Sequence, residues 1–285
     1  MKNGLVLEGG AMRGMFTAGV LDVLMEGNVS FDGVIGVSAG AAFGCNFKSG
    51  QIGRTIRYNM RFCNDKRYCG LRSLLRTGNL FNAEFCYRTV PEQLDLFDAA
   101  AFAANPTAFY LVATDIEKGR AVYKRVRKVE GDDYEWFRAS ASMPLVSTPV
   151  EIDGRKYLDG GITDSIPLRY FEHIGYEKNV VILTQPEDYR KEKNRMLGLM
   201  RLSMSQYPRT LAAMERRHTV YNETLDYIKE REEAGRVLAI RPPQALEIGR
   251  VEKDPERLKA IYEIGRSVGE KNVNRIRDFL TESGE

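Results

Sequence analysis

Short apolar runs rich in β-branched residues, at positions 4–8, 33–38, 109–114, 179–184 and 236–241, alternate with stretches of helical periodicity, and this alternation constrains the fold more than any other feature of the chain. A strand that is apolar on both faces must be covered on both, so such runs belong to a mainly parallel central sheet between two helical layers. The expected architecture is a three-layer α/β/α fold. After the first run, Phe16, Val20 and Leu24 fall at helical spacing and Gly27 supplies a stop, which makes a strand, turn, helix unit. Residues 150–158 read as a hairpin, because Asp153-Gly154 suits the two-residue turn that twisted strands prefer. That hairpin delivers the chain to Asp159.

At 285 residues and 43% hydrophobic content the chain can bury a sizeable core. The chain is expected to divide near residue 185, with residues 186–285 a mostly helical region, holding one further strand, packed on residues 1–185. Within residues 186–285, a helical pattern over 194–234 is interrupted at Pro208, giving two helices, the second striped by Leu211, Met214, Tyr221, Leu225 and Ile228. Asp254 and Pro255 make a cap and first turn for a terminal helix lined by Leu258, Ile261, Ile264 and Val268.

Basic and acidic residues nearly balance, 42 against 39, and a net charge of +3 is too weak a field to bind nucleic acid. Cys45, Cys63, Cys69 and Cys86 match no zinc or redox spacing and read as free thiols in a reducing compartment. The first residues hold too short an apolar stretch for a secretory leader, and no apolar run reaches the ~18 residues that span a bilayer. A cytoplasmic protein that touches membranes only peripherally is expected.

The chemistry concentrates at three places. Gly36-Val37-Ser38-Ala39-Gly40 follows an apolar run and precedes a small-residue helix start, the context of a nucleophile elbow. A serine on so sharp a strand-to-helix turn needs neighbours without bulk, which Gly36 and Gly40 provide. The helix N-terminus also offers N–H groups where an oxyanion would develop. Gly9, Gly10 and Ala11, with Arg13 and Gly14, form a glycine-rich turn after the first strand whose N–H groups could serve the same end. Read instead as Gly9, Ala11, Gly14, the turn is a dinucleotide fingerprint with its middle glycine replaced, and Asp32 lies near the position of a ribose-binding acid. Third comes Asp159-Gly160-Gly161, an acid at a strand end followed by residues that permit close backbone approach.

A hydrolytic serine needs a base, and the chain has only His173 and His218. His218 falls on the apolar helix stripe, and His173 ends a short helix beginning near Pro167, where it would complement the helix C-terminus. Ser38, Asp159, His173 is nevertheless the chain order of a hydrolase triad, so a triad remains the alternative.

With these motifs in this order, the sequence resembles the patatin-like phospholipases. The likeness rests on residues 9–14, on residues 36–40 and on residues 159–161, supported by residues 138–144 and 149–154, and runs from about residue 3 to 184. It implies a patatin-like catalytic core, a serine esterase acting on lipid or phospholipid esters through Ser38 as nucleophile and Asp159 as base, an oxyanion site at Gly9, Gly10 and Ala11, and neither metal nor cofactor. Ala11 departs from the family pattern, which has a third glycine there. Its N–H can still donate, but a positive φ would be costly.

Two basic segments bear on partners. One holds Arg54, Arg57, Arg61, Lys66, Arg67, Arg72 and Arg76 against Asp65; the other, over 190–217, mixes Arg195, Arg201 and Arg209 with Met196, Leu199, Met200 and Leu202. Both suit an anionic lipid surface, or are solvated faces over an ordinary core. The reading is a lipid acyl hydrolase; its rivals are a nucleotide binder that leaves Ser38 idle and a non-catalytic lipid-binding module.

Overall fold

The computed structural model describes residues 1–282. In chain order its elements are β1 (Lys2–Leu7), α1 (Gly14–Glu26), β2 (Gly33–Val37), α2 (Ala39–Ser49), α3 (Arg54–Phe62), α4 (Leu71–Thr77), a π-helical stretch (Phe85–Leu94), α5 (Ala99–Ala104), β3 (Ala108–Asp115), β4 (Arg120–Val126), α6 (Asp133–Ala141), β5 (Val150–Ile152), β6 (Arg155–Asp159), α7 (Leu168–His173), β7 (Tyr176–Ile182), α8 (Leu197–Ser203), α9 (Pro208–Glu233), β8 (Val237–Ile240) and α10 (Pro255–Thr281).

The strands form one eight-stranded sheet in the order β5, β6, β3, β2, β1, β7, β8, with β4 on the other edge of β3. β3, β2, β1, β7 and β8 are parallel neighbours, while β4, β5 and β6 run antiparallel at one end. Side chains alternate along each parallel strand between two apolar layers. Leu5, Leu7, Val34, Phe109, Leu111, Val180 and Ile182 enter one core with α1, α2 and α10. Val6, Ile35, Val37, Val112 and Val181 enter a second, with Leu168 and Phe171 of α7 and Tyr221 and Ile228 of α9. These are the helical layers that the two-sided apolar runs require.

The hairpin forms as expected. Asp153 and Gly154 both take positive φ, 51° and 70°, the handedness that matches the twist of β5 and β6. The helical pattern divides as expected into α8 and α9, with Pro208 opening the second, and the Asp254 carboxylate accepts from the Glu256 N–H at the start of α10. β4 is a strand that sequence periodicity did not show. Its Arg120, Lys124 and Arg125 break the apolar run, as suits an edge.

The C-terminal stretch shares sheet and core with the rest of the molecule. β8 pairs with β7, and Leu258, Ile261, Tyr262 and Ile276 of α10 lie in the larger core beside α1. The two helices meet backbone to backbone: a Cβ on Gly19 would stand 2.1 Å from the Tyr262 carbonyl oxygen, and one on Gly265 2.0 Å from that of Phe16. No side chain larger than hydrogen fits at either position. The cysteines are free thiols, and no described helix is long and apolar enough to cross a membrane.

Candidate active site

Sheet register brings Ser38 and Asp159 together. β4 takes one edge of β3 from Phe109 to Asp115, so β2 and β6 share the other. On that edge Val37 pairs with Val112 and Asp159 with the next residue, Ala113. The end of β2 therefore abuts the end of β6, and Ser38, the residue after Val37, falls beside Asp159. The glycine turn follows β1, the neighbouring strand, so all three sequence motifs converge at the carboxyl ends of β1 and β2. There β1 is flanked by β2 on one side and β7 on the other, the point where strand order reverses and open α/β sheets bind ligands.

Ser38 has φ 54° and ψ −121°, a conformation that costs a non-glycine residue about 1–3 kcal/mol and persists only where its surroundings impose it. They do so in two ways. The elbow is pressed against β1, where a Cβ on Gly40 would stand 2.6 Å from the Leu7 carbonyl oxygen. The Ser38 N–H donates to Ser140 Oγ at 2.9 Å, and that hydroxyl donates to the Val112 carbonyl at 2.6 Å. Ser140, fully buried on α6, thus ties the elbow to β3. Its stretch, residues 138–144, carries part of the family likeness, but nothing in the sequence marks Ser140 itself for this role.

On the glycine turn, Ala11 takes φ 49°, the positive value at which alanine costs about 1 kcal/mol more than glycine. Among the described residues, the N–H groups of Gly9, Gly10 and Ala11 have no acceptor. Beneath the turn Glu8 is buried, its carboxylate accepting from the Thr184 N–H at 2.6 Å, the Thr184 hydroxyl at 3.0 Å and the Tyr221 hydroxyl at 2.6 Å. Glu8 therefore locks the ends of β1 and β7 to α9. An acid closing an otherwise apolar strand was the signal available for it.

Asp159 is 6% exposed. Its Oδ1 accepts from the Gly161 N–H at 2.7 Å. Burial pushes its pKa above the ordinary carboxylate value; the Ser38 hydroxyl, the Gly161 N–H and the charges of Arg217 and Arg250 oppose that rise. Arg217 on α9 also donates to the Gly161 carbonyl.

Two cavities open on Ser38 and share Ala11 and Met143 at their junction. The first, about 780 Å³ including its mouth, is lined chiefly by apolar groups such as Met12, Phe43, Leu80, Phe81 and Val146. It adjoins another apolar hollow, about 580 Å³ including its mouth, with which it shares Ala42, Tyr68, Cys86 and Tyr87 and which reaches Val129 and Phe137. The second, about 1010 Å³ including its mouth, holds Asp159 and the glycine turn together with Arg13, Lys191, Arg217 and Arg250.

Other candidates fall elsewhere. His173 is exposed and His218 half-buried, and neither lines a cavity that opens on Ser38. Asp32 accepts from the Asn3 N–H at 2.7 Å, at the start of β1 and β2 and so at the opposite end of the sheet from the glycine turn. That placement corrects the dinucleotide reading, since no ribose could span from one to the other. The first basic segment is not all surface: Arg54 is buried, and it and Arg57 pair with Asp95 at 3.2 and 2.7 Å. Among the described residues no cluster of metal-ligating side chains occurs.

Fold and site together define an α/β protein with a serine elbow opposed to a buried carboxylate. Residues 5–172 match the family model of patatin-like phospholipases, and the chain belongs to that family of lipid hydrolases. A second family model, described only as a domain of unknown function, matches residues 207–281. The chain is 30% identical to the uncharacterized protein YjjU of Escherichia coli over 98% of its own length and 79% of that protein. It is 24% identical to lysophospholipase nte1 of Emericella nidulans over 96% of its length but 18% of that much longer protein. With an uncharacterized NTE family protein of Mycobacterium bovis it shares 27% identity over 58% of its length, spanning 44% of the relative. Among solved structures, VipD of Legionella pneumophila aligns over 96% of this chain and 67% of its own, with a TM-score of 0.48 and 13% identity.

Proposed function

We propose that the protein cleaves carboxylic esters of lipids through a Ser38–Asp159 dyad and an acyl-enzyme. The observation that carries this is the buried carboxylate facing the elbow serine where an apolar cavity and a cationic one meet, with no imidazole at either. The ester carbonyl sits between Ser38 and the N–H groups of Gly9, Gly10 and Ala11, which stabilise the developing oxyanion. Asp159 takes the hydroxyl proton as Oγ bonds to the carbonyl carbon. As the intermediate collapses the C–O bond breaks, and the alcohol leaves with that proton. Water then attacks the acyl-enzyme, giving a proton to Asp159, and the carboxylic acid departs as Ser38 regains its own. Ser38, Asp159 and water balance every step, so no cofactor or metal is called for.

A carboxylate of ordinary pKa is a weak base at neutral pH. The raised value at Asp159 brings it nearer its task. A fluorophosphonate probe is expected to add its phosphonyl group to Ser38, read as a mass shift on the peptide bearing residues 36–40. Labelling elsewhere, with Ser38 unmodified in folded protein, would refute the nucleophile assignment.

The same proposal places the enzyme in the cytoplasm, at the inner face of a membrane. Met196, Leu199 and Leu202, on and beside α8, and Leu71 and Leu75 on α4 are exposed large apolar residues, with Arg195, Arg201, Arg72 and Arg76 beside them. Both helices flank the site: Met200 lines the cationic cavity, and Leu80, just past α4, lines the apolar one. Apolar groups beside cations suit an anionic interface, where each cation contributes about 1 kcal/mol. Replacing Arg195, Arg201 and Arg209 together by Glu is expected to weaken sedimentation with phosphatidylglycerol vesicles at least about tenfold, with wild-type binding falling as salt rises. Equal binding by wild type and variant would remove the membrane face from the account.

A further inference from the structure

Lys191 lines the cationic cavity beside Ser38 and lies against two tyrosine rings. Lys191 Nζ stands 4.2 Å from the centre of the Tyr221 ring and 5.7 Å from that of Tyr189. Tyrosine faces set edge to face, as these are at 89°, make the kind of box that receives a quaternary ammonium. Here the protein's own ammonium fills it. The lysine is held by its backbone: its N–H donates to Asn222 Oδ1 at 2.8 Å, and its carbonyl accepts from Asn222 Nδ2 at 3.1 Å.

Arg13, Arg217 and Arg250 line the same cavity, and among the described residues none of these cations has a carboxylate within 4.0 Å. Among the described residues, Asp159 is the only carboxylate in the lining. Glu8, which lies below, is engaged by Thr184 and Tyr221. The cavity wall holds Lys191 at an electrostatic cost. Burial first, then Arg217, Arg13 and Arg250, push its pKa down to about 8, with Glu8 opposing. An anion seated among these groups would reverse that shift.

We propose that this cavity binds the phosphate of the substrate's alcohol portion, so that the preferred ligand is an acylated glycerol phosphate with a free phosphomonoester rather than a phosphocholine ester. The inference rests on the hydrolase reading for placing the acyl chain in the apolar cavity and the ester at Ser38. A dianionic phosphate meets several fixed cations there, and charge-assisted contacts of this kind favour it over a hydroxyl. A choline would bring a further cation among Lys191, Arg13, Arg217 and Arg250.

Binding to the Ser38→Ala protein tests this without turnover. By calorimetry, below the micelle-forming concentration, 1-oleoylglycerol 3-phosphate is expected to bind at least about tenfold more tightly than 1-oleoylglycerol or 1-oleoylglycero-3-phosphocholine. Adding Lys191→Met should bring the phosphate-to-neutral ratio to within about threefold of one, Lys191→Arg should keep most of the preference, and Arg250→Gln, at an exposed position, should lower it. Equal affinity for the three ligands, tighter binding of the choline ester, or a preference that survives Lys191→Met would overturn the proposal. Inorganic phosphate that binds wild type while the lipid phosphate shows no advantage would assign the cavity to free phosphate and overturn it as well. Phosphate-selective binding by a protein that hydrolyses no ester would sink the hydrolase and leave the cavity's assignment standing.

Discussion

Asp159→Asn is expected to lower kcat/KM for a short-chain nitrophenyl ester at least about a thousandfold, a loss of about 4 kcal/mol in transition-state stabilisation, whereas His173→Ala and His218→Ala stay within about tenfold of wild type. The amide keeps the shape of the carboxylate and can still accept from the Gly161 N–H, but it cannot take the Ser38 proton. In a triad the loss would instead follow the imidazole. Stability should move the other way. Folding raises the Asp159 pKa, so ionising it inside the fold costs stability at neutral pH, and that cost disappears as pH falls below the ordinary value of 3.8. Replacement by neutral Asn removes it, so the inactive protein should be at least as resistant to urea as wild type. In wild type, activity should fall on the acid side as Asp159 protonates, with a midpoint above 3.8. A folded but inactive His173→Ala protein would restore the triad.

Much of the fold was legible because both faces of the parallel strands are buried. Residues such as Val6, Val34 and Ile35 form continuous apolar runs that only a covered sheet explains. β4 was not legible: on an edge, its Arg120, Lys124 and Arg125 are tolerated in the strand, and its partner β3 supplies what periodicity cannot show. The elbow, the glycine turn and Asp159 each carried a local signature, since a backbone that must bend sharply or pack closely selects glycine. Their meeting did not. It is set by the register of β3, where Val112 and Ala113 align the ends of two strands distant in sequence.

Side chains whose role depends on convergence were the least visible. Ser140 looks like any small residue in a helix until its hydroxyl is seen bridging Ser38 and Val112. Lys191 belonged to a run of charges until Tyr189 and Tyr221 closed around it. Arg54 shows the reverse case. It counted toward a basic surface, but Asp95 and the Asn46 amide hold it inside, the latter at 2.8 Å. Charge counts along a sequence cannot separate a solvated face from a buried ion pair.

The central claim is that Ser38 is the nucleophile, and turnover by the Ser38→Ala protein tests it most directly. Alanine inherits the same positive φ and removes only a half-buried hydroxyl, so the fold should be retained, with thermal unfolding shifted by no more than a few degrees. The hydroxyl itself has no substitute, because the remaining elements of the site bind and polarise an ester but form no bond to it. Hydrolysis of both the nitrophenyl ester and a monoacyl lipid should fall at least about a thousandfold in protein whose circular dichroism matches wild type. Turnover within about tenfold of wild type by that folded protein would contradict the account.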